Sequence, residues 1–497
     1  MTAESSVQSP PPPAKSCDLG LRGDMRALRD FIVAAGLCWS VLFVIVGVGY
    51  QLQLYGDGSI FSYSVAVEDA WAFHWHNIVG RIVVYLFATV PAEAYVHLTG
   101  DAAGGIVAYG ILFFASPLLG LLATWAADRS KGRIIFCYAC ASTACLCPLV
   151  FGFPTETWMA HALFWPTLAL CHYAPRGIAG VVAIFCALLA LLFTYDGALL
   201  FALVIVATLL LRGRWNQASV RAGAALVAAA LIWIIVKWTF PPDDYDAVVL
   251  ARAASHVFDV AILTNAMTLL LFATLASYAA VFYVLQRVRV LDGAVYATLV
   301  VALGLVAYWM WFDYAFHADN RYYMRTALLI AVPPLGGLAA AYACRANGEL
   351  ALAVPVLPRL LSSLTTGVAV RAAAGALVLV MLVHAVETAK FVSGWRRYQS
   401  AVRALAMGSA SDPVLGDPRF VSSARIGENL NRLSWFSTTH FLSVLLAPGF
   451  APLRLVVDPT AAYFWLTCAT ASANERANRA IPVDARALVR IHACLHR

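Results

Sequence analysis

The stretch FIVAAGLCWSVLFVIVGVGY at residues 31–50, with LYGDGS at residues 54–59 just after it, decides how the rest of this chain is interpreted. The first segment is an uninterrupted apolar run, about as long as a helix that crosses a bilayer. The second brings in Asp57, flanked by Gly56 and Gly58. Glycine lets the backbone turn sharply and approach a ligand closely. Asp57 is therefore either an ordinary turn residue or a carboxylate held at a membrane face.

The composition predicts a multi-pass membrane protein. Of the 497 residues, 62% are hydrophobic and 12% are charged, whereas a soluble domain carries about 25% charged residues. The mean hydropathy is +0.76. The formal net charge of +7 fits basic loops that anchor helices on the cytoplasmic side. Zinc-finger spacings and basic stripes with interleaved aromatics are missing from the sequence, so we expect no nucleic-acid partner. The apolar composition makes membrane lipid the expected partner.

Apolar runs of spanning length recur along the chain and predict an all-α polytopic protein. We predict eleven transmembrane helices, at 31–50, 104–126, 134–151, 158–174, 178–195, 197–211, 222–239, 262–285, 293–312, 326–343 and 368–388. Residues 1–30, which include a run of prolines, are predicted to be a disordered cytoplasmic tail. The transmembrane domain is then 31–388, and the rest of the chain follows it.

Basic residues set the predicted orientation. Lysine and arginine concentrate in the loops that this helix count puts on one side, and the loops between helices on the other side carry only Arg81, Arg252, Arg321 and Arg325. The positive-inside rule then predicts a cytoplasmic N-terminus and a periplasmic C-terminus. The Ala- and Arg-rich composition favours a bacterial inner membrane.

Two extramembrane regions stand out. Residues 51–103 form a long first outer loop, in which 78–98 is apolar enough to span but is interrupted by charged residues and proline. We therefore interpret 78–98 as a juxtamembrane helix, although a further crossing stays open. Residues 389–497 have mixed composition and predict a small α+β extracytoplasmic domain, with a strand near 453–457 and a helix near 485–494. A disulfide between Cys468 and Cys494 is left open.

Acids collect on the predicted outer side of the membrane, and each has a structural and a functional interpretation. Besides Asp57, they include Glu68, Asp69, Glu156 and Asp196. Glu156 begins a helix, where a carboxylate either stabilises the helix dipole or binds a sugar or amine. Asp196 lies in a tight turn between two apolar runs, where a plain turn role is favoured.

Arg321 and Arg325 are the matching cations. They are four residues apart at the start of a predicted helix, so both guanidinium groups lie on one helix face. Arginine matches phosphate oxygens in geometry and charge. The alternative is a pair of interfacial arginines that keep their charged ends in water.

Metal and nucleophile signatures are weak in this sequence. Cys137, Cys140, Cys145 and Cys147 fall within one apolar run without His or acid neighbours, and we interpret them as small core residues. We predict no metal ligand set, while a divalent cation stays open as a cofactor. The G-x-S-x-G and H-E-x-x-H patterns are missing, which argues against serine-hydrolase and zinc-protease chemistry.

These features resemble the GT-C glycosyltransferases, membrane enzymes that use polyprenyl-phosphate sugars. The segment Leu54–Gly58 matches the position where that class carries its catalytic Asp, and the outer turn Tyr195–Asp196 is similar to part of its core topology. The segment Arg321–Tyr323, followed by Pro333 and Pro334, looks like its late arginine-tyrosine element. The chain departs from the class in lacking a second acid next to Asp57, since the pair Glu68–Asp69 comes later.

The resemblance implies an inverting transferase. A polyprenyl-phosphate-linked sugar would lie in the outer leaflet with its phosphate near Arg321, Tyr322 and Arg325, and Asp57 would deprotonate a glycan or lipid acceptor. Glu68, Asp69, Glu156 and Asp196 are the secondary candidates for the base or for acceptor binding. The alternative functions are a secondary transporter or lipid flippase, and a non-catalytic subunit for polysaccharide assembly.

Overall fold

The computed structural model describes ten stretches of the chain, which are 17–68, 78–150, 155–175, 177–211, 217–240, 264–313, 318–345, 366–408, 420–435 and 438–457. Nearly all of these residues are helical. The proline-rich start of the chain, Asp69, the predicted helix at 485–494 and both Cys468 and Cys494 lie outside the described residues.

The first half of the chain folds into helices that mostly follow the apolar runs. They are α1 (Cys17–Gly49), α2 (Asp57–Ala66), α3 (Ile78–Val84), α4 (Val90–Thr99), α5 (Ala102–Ala127), α6 (Ile134–Leu146), α7 (Glu156–Tyr173), α8 (Ile178–Leu192), α9 (Ala198–Leu211) and α10 (Gln217–Thr239). A π-helical turn over Tyr85–Thr89 joins α3 to α4.

The second half contributes four long helices and a short mixed segment. The long helices are α11 (Ala266–Arg287), α12 (Gly293–Trp311), α13 (Ala318–Arg345) and α14 (Thr366–Met407). They are followed by β1 (Phe420–Ser422), the single turn α15 (Glu428–Asn431), α16 (Thr439–Leu446) and β2 (Leu455–Val457). The two strands pair in parallel, with Phe420 opposite Leu455, so the predicted strand near 453–457 is confirmed.

The protein is an integral membrane protein by its apolar helices. Within the described residues, eight segments are long and apolar enough to cross a bilayer, namely Met25–Gly49, Gly80–Thr99, Ala102–Ala127, Ser219–Thr239, Ala266–Arg287, Gly293–Trp311, Arg325–Cys344 and Gly367–Met407. Helices α6, α8 and α9 are apolar but shorter. The eleven crossings therefore stay a prediction, as does the orientation. The segment we interpreted as juxtamembrane, 78–98, has the length and composition of a span.

Two helix ends differ from the sequence-based prediction. Helix α1 begins at Cys17, within the predicted tail and well before the apolar run at 31–50, because no proline interrupts this stretch. Helix α14 continues to Met407, past the predicted end of the membrane domain at residue 388. Its second half carries Trp395, Tyr398 and Val402, all buried in the main core. The boundary between 388 and 389 therefore falls inside one continuous helix.

Helix α2 was not expected from the sequence. Residues 58–66 are buried on every side of this helix, which packs against α5 and α16. Tyr63 of α2 contacts Phe441 of α16, with ring centroids 5.0 Å apart. The start of the first predicted outer loop and the segment after α14 therefore share one apolar core. We call the end of the helix bundle at which α1 ends and α7 begins the Asp57 end.

Candidate functional site

Asp57 is the first residue of α2, where a carboxylate interacts favourably with the helix dipole. Gly56 precedes it with φ of 56°, a backbone conformation that side chains disfavour. A Cβ at Gly56 would also lie 3.1 Å from the Trp435 ring. Glycine is therefore required here for both conformation and space. The turn fixes the direction of Asp57 at the start of a buried helix.

An ion pair between Arg81 and Glu156 faces Asp57. Arg81 Nη1 lies 2.8 Å from Glu156 Oε1. Glu156 is in the first turn of α7. Arg81 interrupts α3 with a non-helical backbone, at φ −132° and ψ 25°. The segment from Ile78 to Thr99 is otherwise helical. Breaks of this kind in a helix often mark functional positions.

The surroundings of Asp57 favour its protonated form. Its pKa is raised from 3.8 to about 6, chiefly because burial penalises the charged carboxylate. The negative charge of Glu156 raises the pKa further, and the positive charge of Arg81 partly offsets both effects. Asp57 keeps part of its residue surface accessible. A carboxyl group of this kind takes up and releases protons close to neutral pH, as a general base requires.

A narrow pocket adjoins this charge group. Arg81 and Glu156 contribute its polar wall, and the rest is mainly aromatic and apolar, formed by Phe61, Val84, Tyr85, Thr89, Tyr109 and Phe113. Phe61 lies one helical turn after Asp57. Tyr85 and Thr89 are the two ends of the π-helical turn. The π-helical turn, which is wider than an α-helical turn, therefore forms the pocket wall opposite Tyr109 of α5.

Asp196 lies on the other side of the same segment and is ion-paired. Lys237 Nζ lies 3.0 Å from Asp196 Oδ1 and donates a hydrogen bond of 3.1 Å to Oδ2. A Cβ at Gly80 would lie 2.9 Å from Lys237 Nζ and 3.8 Å from Asp196 Oδ1. Gly80 and Arg81 are neighbours in α3, so the structure gathers Asp57, Glu156 and Asp196 around the start of one helix. The pairing with Lys237 favours a structural role for Asp196.

Glu68 is not part of this group. Its carboxylate lies 2.9 Å from His97 Nδ1, and both side chains are exposed. Glu68 has a φ of 55° and follows the end of α2. The full length of α2 therefore separates Glu68 from Asp57 and from the charge group beside the pocket.

Arg325 is buried, whereas an arginine that snorkels keeps its charged end in water. Only 2% of its residue surface is exposed, and a guanidinium group at such a position has to be paired or hydrogen-bonded. Arg321 and Tyr322 belong to the backbone of α13, but their side chains lie outside the described residues.

The packing of α13 against α7 determines the position of Arg325 along the axis of α7. A Cβ at Gly336 would meet the Trp165 ring at 2.8 Å, and one at Gly337 would meet Phe164 at 2.7 Å. Leu329, nearer the start of α13, belongs to the same core as Trp158 near the start of α7. The two helices therefore run parallel. This register brings Arg325 level with the first turn of α7, where Glu156 lies.

A second charged cluster lies between α12 and α14. Lys390 Nζ is 3.1 Å from Glu387 Oε1 and 3.4 Å from Asp313 Oδ2, and it also lies 6.0 Å from the Trp309 ring. The Glu387 residue is 0% exposed. Asp313 follows the end of α12, so the cluster is at the end of a span and not at its middle.

The described residues contain no group of three or more His, Cys, Asp and Glu able to hold a metal ion. Cys137, Cys140, Cys145 and Cys147 are free thiols in or just after α6. A Cβ at Gly36 of α1 would lie 2.6 Å from the Cys140 carbonyl oxygen. The small Cys140 side chain therefore lies where two helices pack closely.

Sequence reasoning missed Arg81 as a member of the site. Arg81 is one of the few arginines in a predicted outer loop, in an otherwise apolar stretch, and this was the available signal. A charge in such a stretch either ends a span or finds a buried partner. The pairing with Glu156, 75 residues later, could only be seen in the folded chain.

Comparison with known proteins adds no assignment to this geometry. No family model matches the sequence, and neither a curated protein nor a solved structure matches the chain. The resemblance to the GT-C class therefore rests on the short segments around Asp57, Asp196 and Arg321.

Proposed function

We propose that this protein is an integral membrane glycosyltransferase that moves a sugar from a polyprenyl-phosphate donor to a glycan or lipid acceptor, at the periplasmic face of a bacterial inner membrane. The observation that carries the proposal is the partly accessible Asp57, whose pKa of about 6 suits proton transfer near neutral pH. It lies beside an apolar, aromatic pocket with one cation and one further acid. The pocket volume is about 10 Å³, which is room for about one water molecule, so in the proposed reaction the pocket walls move apart to admit the acceptor.

In the proposed reaction, Asp57 accepts the proton of the acceptor hydroxyl. The hydroxyl oxygen then forms a bond to the anomeric carbon of the donor sugar, while the bond from that carbon to the phosphate oxygen breaks. The electron pair leaves with the lipid phosphate, and the configuration at the anomeric carbon inverts. Arg325, level with Glu156, and Arg321 with Tyr322 are proposed to stabilise the departing phosphate.

Glu156 and Arg81 are proposed to set the proton affinity of Asp57. The Glu156 charge keeps the pKa of Asp57 high and the Arg81 charge limits this effect. The ion pair also joins α3 to α7, which keeps the pocket walls together. Neither residue is asked to contact the anomeric carbon. Whether a divalent cation takes part is left to the experiment.

The test is sugar transfer by purified protein in proteoliposomes, with a panel of polyprenyl-phosphate monosaccharides as donors. Asp57→Asn is expected to lower transfer by at least about 100-fold, the size of a general-base contribution. Glu68→Gln is the matched control, because Glu68 is an exposed acid at the far end of α2, and it should keep wild-type transfer. Full activity of Asp57→Asn would remove Asp57 from the reaction. Adding EDTA to the same assay tests the metal requirement.

A transport function is the second candidate, and one observation favours it. The buried Glu387 and Asp313 and the half-buried Lys390 form a charged cluster of the kind that transporters use in ion pathways. Its position at the end of α12 favours an interfacial role instead. Donor-independent uptake of a solute or flipping of a labelled lipid, lost in Glu387→Gln and kept in Asp57→Asn, would favour transport.

A further inference from the structure

A groove lies between α1 and α14, apart from the pocket beside Asp57. Its volume is about 530 Å³. Its α1 wall is Trp39, Leu42, Val46 and Tyr50, which recur at the spacing of one helix face. Its α14 wall extends from Ala385 to Arg397, with Pro148 and Val150 closing the gap between the two helices.

The groove is apolar along its length and basic at one end. Arg396 and Arg397 are the only charged side chains among the described residues that line it, and both are exposed. From Ala385 to Arg397 the helix advances about 18 Å. The groove therefore offers an apolar channel that ends at two adjacent guanidinium groups.

These two arginines have no carboxylate partner within the part of the chain that the structure describes. The Arg396 guanidinium lies 4.9 Å from the Tyr50 ring centroid, and Arg397 donates a hydrogen bond of 3.2 Å to Ser393 Oγ. In contrast, Arg81, Lys237 and Lys390, which lie at the same Asp57 end of the bundle as Tyr50, each have an acid within 3.4 Å. Among the described residues, no carboxylate therefore neutralises the positive charge at the mouth of the groove.

The groove and the Asp57 pocket share no lining residue among those described. Phe43 and Gly47 of α1 pack against Phe114 of α5. At the mouth, Trp395 Nε1 donates a hydrogen bond of 3.0 Å to the Tyr50 carbonyl. The groove and the pocket are therefore two separate cavities.

We propose that this groove holds a resident anionic phospholipid of the surrounding bilayer, with its phosphate bound by Arg396 and Arg397 and one acyl chain against Val46. Arginine pairs bind phosphate through charge-assisted, directional hydrogen bonds. A groove lined mainly by apolar side chains suits an acyl chain. This proposal needs only the membrane location of the protein and does not depend on the proposed transferase activity.

The probe is phosphatidylglycerol, added to delipidated protein in zwitterionic detergent and counted by native mass spectrometry, with phosphatidylcholine, a zwitterion of zero net charge, as the comparison. We expect the wild type to retain one phosphatidylglycerol and to release phosphatidylcholine. The double substitution Arg396→Gln/Arg397→Gln should weaken retention roughly 30-fold, the loss expected when two arginines near a lipid headgroup are removed. Arg403→Gln, an exposed arginine on the same helix outside the groove, should retain the lipid as the wild type does.

Filling the apolar part gives an independent variant. Val46→Trp leaves both arginines in place and should also reduce retention, whereas a purely electrostatic surface attraction would survive it. Size-exclusion profiles and thermal unfolding check that each variant is folded. Equal retention of phosphatidylglycerol and phosphatidylcholine, or wild-type retention by the double variant, would overturn the proposal. Displacement of the bound lipid by one equivalent of polyprenyl phosphate would also overturn it, because the groove would then be a site for that carrier.

Discussion

Arg81 Nη1 lies 2.8 Å from Glu156 Oε1 and joins the interrupted helix α3 to the first turn of α7, directly beside Asp57. The pair acts on Asp57 with opposite signs, since Glu156 raises the pKa of the carboxyl and Arg81 lowers it. Changes at either residue should therefore appear in how Asp57 responds to pH, even where transfer itself continues.

Transfer should increase as the pH rises through about 6. Asp57 accepts a proton only when it is ionised, and its pKa in the folded protein is raised to about 6. A rate profile between pH 4.5 and 8, measured with saturating donor, checks this expectation. A flat profile over that interval would mean that no group with this pKa limits the reaction.

Asp57→Asn should make the protein more stable than the wild type at pH 7.5 and about equally stable at pH 4. The folded protein holds the Asp57 proton more tightly than the unfolded chain does, so this contribution to stability is complete below the ordinary pKa of 3.8 and is lost as the pH rises through about 6. The difference is at most about 3 kcal/mol, from 1.36 kcal/mol for each pKa unit.

Thermal unfolding in detergent at the two pH values measures that difference. Glu428→Gln serves as the control, because Glu428 is exposed in α15 and should show no such pH-dependent gain. A loss of stability in Asp57→Asn at pH 7.5 would contradict the burial of a costly charge.

Glu156→Gln should move the acidic limb of the transfer profile to lower pH. Without the Glu156 charge, the pKa of Asp57 falls, since one cause of its elevation is gone and the lowering effect of Arg81 remains. The same pH series, run on this variant and the wild type, gives the two midpoints. An unchanged or higher midpoint would show that Glu156 has no electrostatic influence on the reacting group.

Gly36→Ala should destabilise the contact between α1 and α6 by about 1–3 kcal/mol, the usual cost of overpacking. The added Cβ would lie 2.6 Å from the Cys140 carbonyl oxygen and 2.7 Å from its Cα, both of which are backbone atoms. Gly304→Ala in α12 is the matched control, with nothing within 4 Å of the added Cβ. It should gain about 0.5–1 kcal/mol from helix propensity. Similar melting temperatures for the two variants would contradict the close approach of α1 and α6.

Lys390→Met should destabilise the protein by about 3–5 kcal/mol, because it removes the cation from a buried ionic cluster. Glu387 and Asp313 would both lose this partner. Arg432→Met breaks only an exposed pair with Glu428 and should cost at most about 0.5 kcal/mol. The double variant Lys390→Met/Glu387→Gln should recover part of the loss. Unfolding in a denaturant series separates these cases.

Sequence reasoning was most successful where a local pattern decides the structure. The apolar runs near 104–126, 178–195 and 293–312 became α5, α8 and α12 with ends shifted by only a few residues, because hydrophobic length and helix propensity act within a segment. The strand near 453–457 followed from a run of β-forming residues. These features needed no information about distant parts of the chain.

The sequence was less informative where contacts between distant segments determine the local structure. Helix α2 is stable because α5 and α16 cover it, and nothing within its own ten residues predicts that cover. The end of α14 depends in the same way on aromatic residues that find partners in the core. For the candidate site, Asp57 and Glu156 were predicted as separate acids. Their proximity through Arg81 required the folded structure.

The uninterrupted α14 has a mechanical consequence. A helix of 42 residues is about 63 Å long, roughly twice the hydrocarbon thickness of a bilayer. Tilting such a rigid rod by about 10° within the lipid would displace its far tip by several ångströms, in the manner of a lever, because a continuous helix bends little without a break. The strands and α16 pack against that end of α14 and would move with it. Because α16 also covers α2, the packing over α2 would change as well. A change in membrane thickness or tension that tilts α14 therefore changes the packing around Asp57.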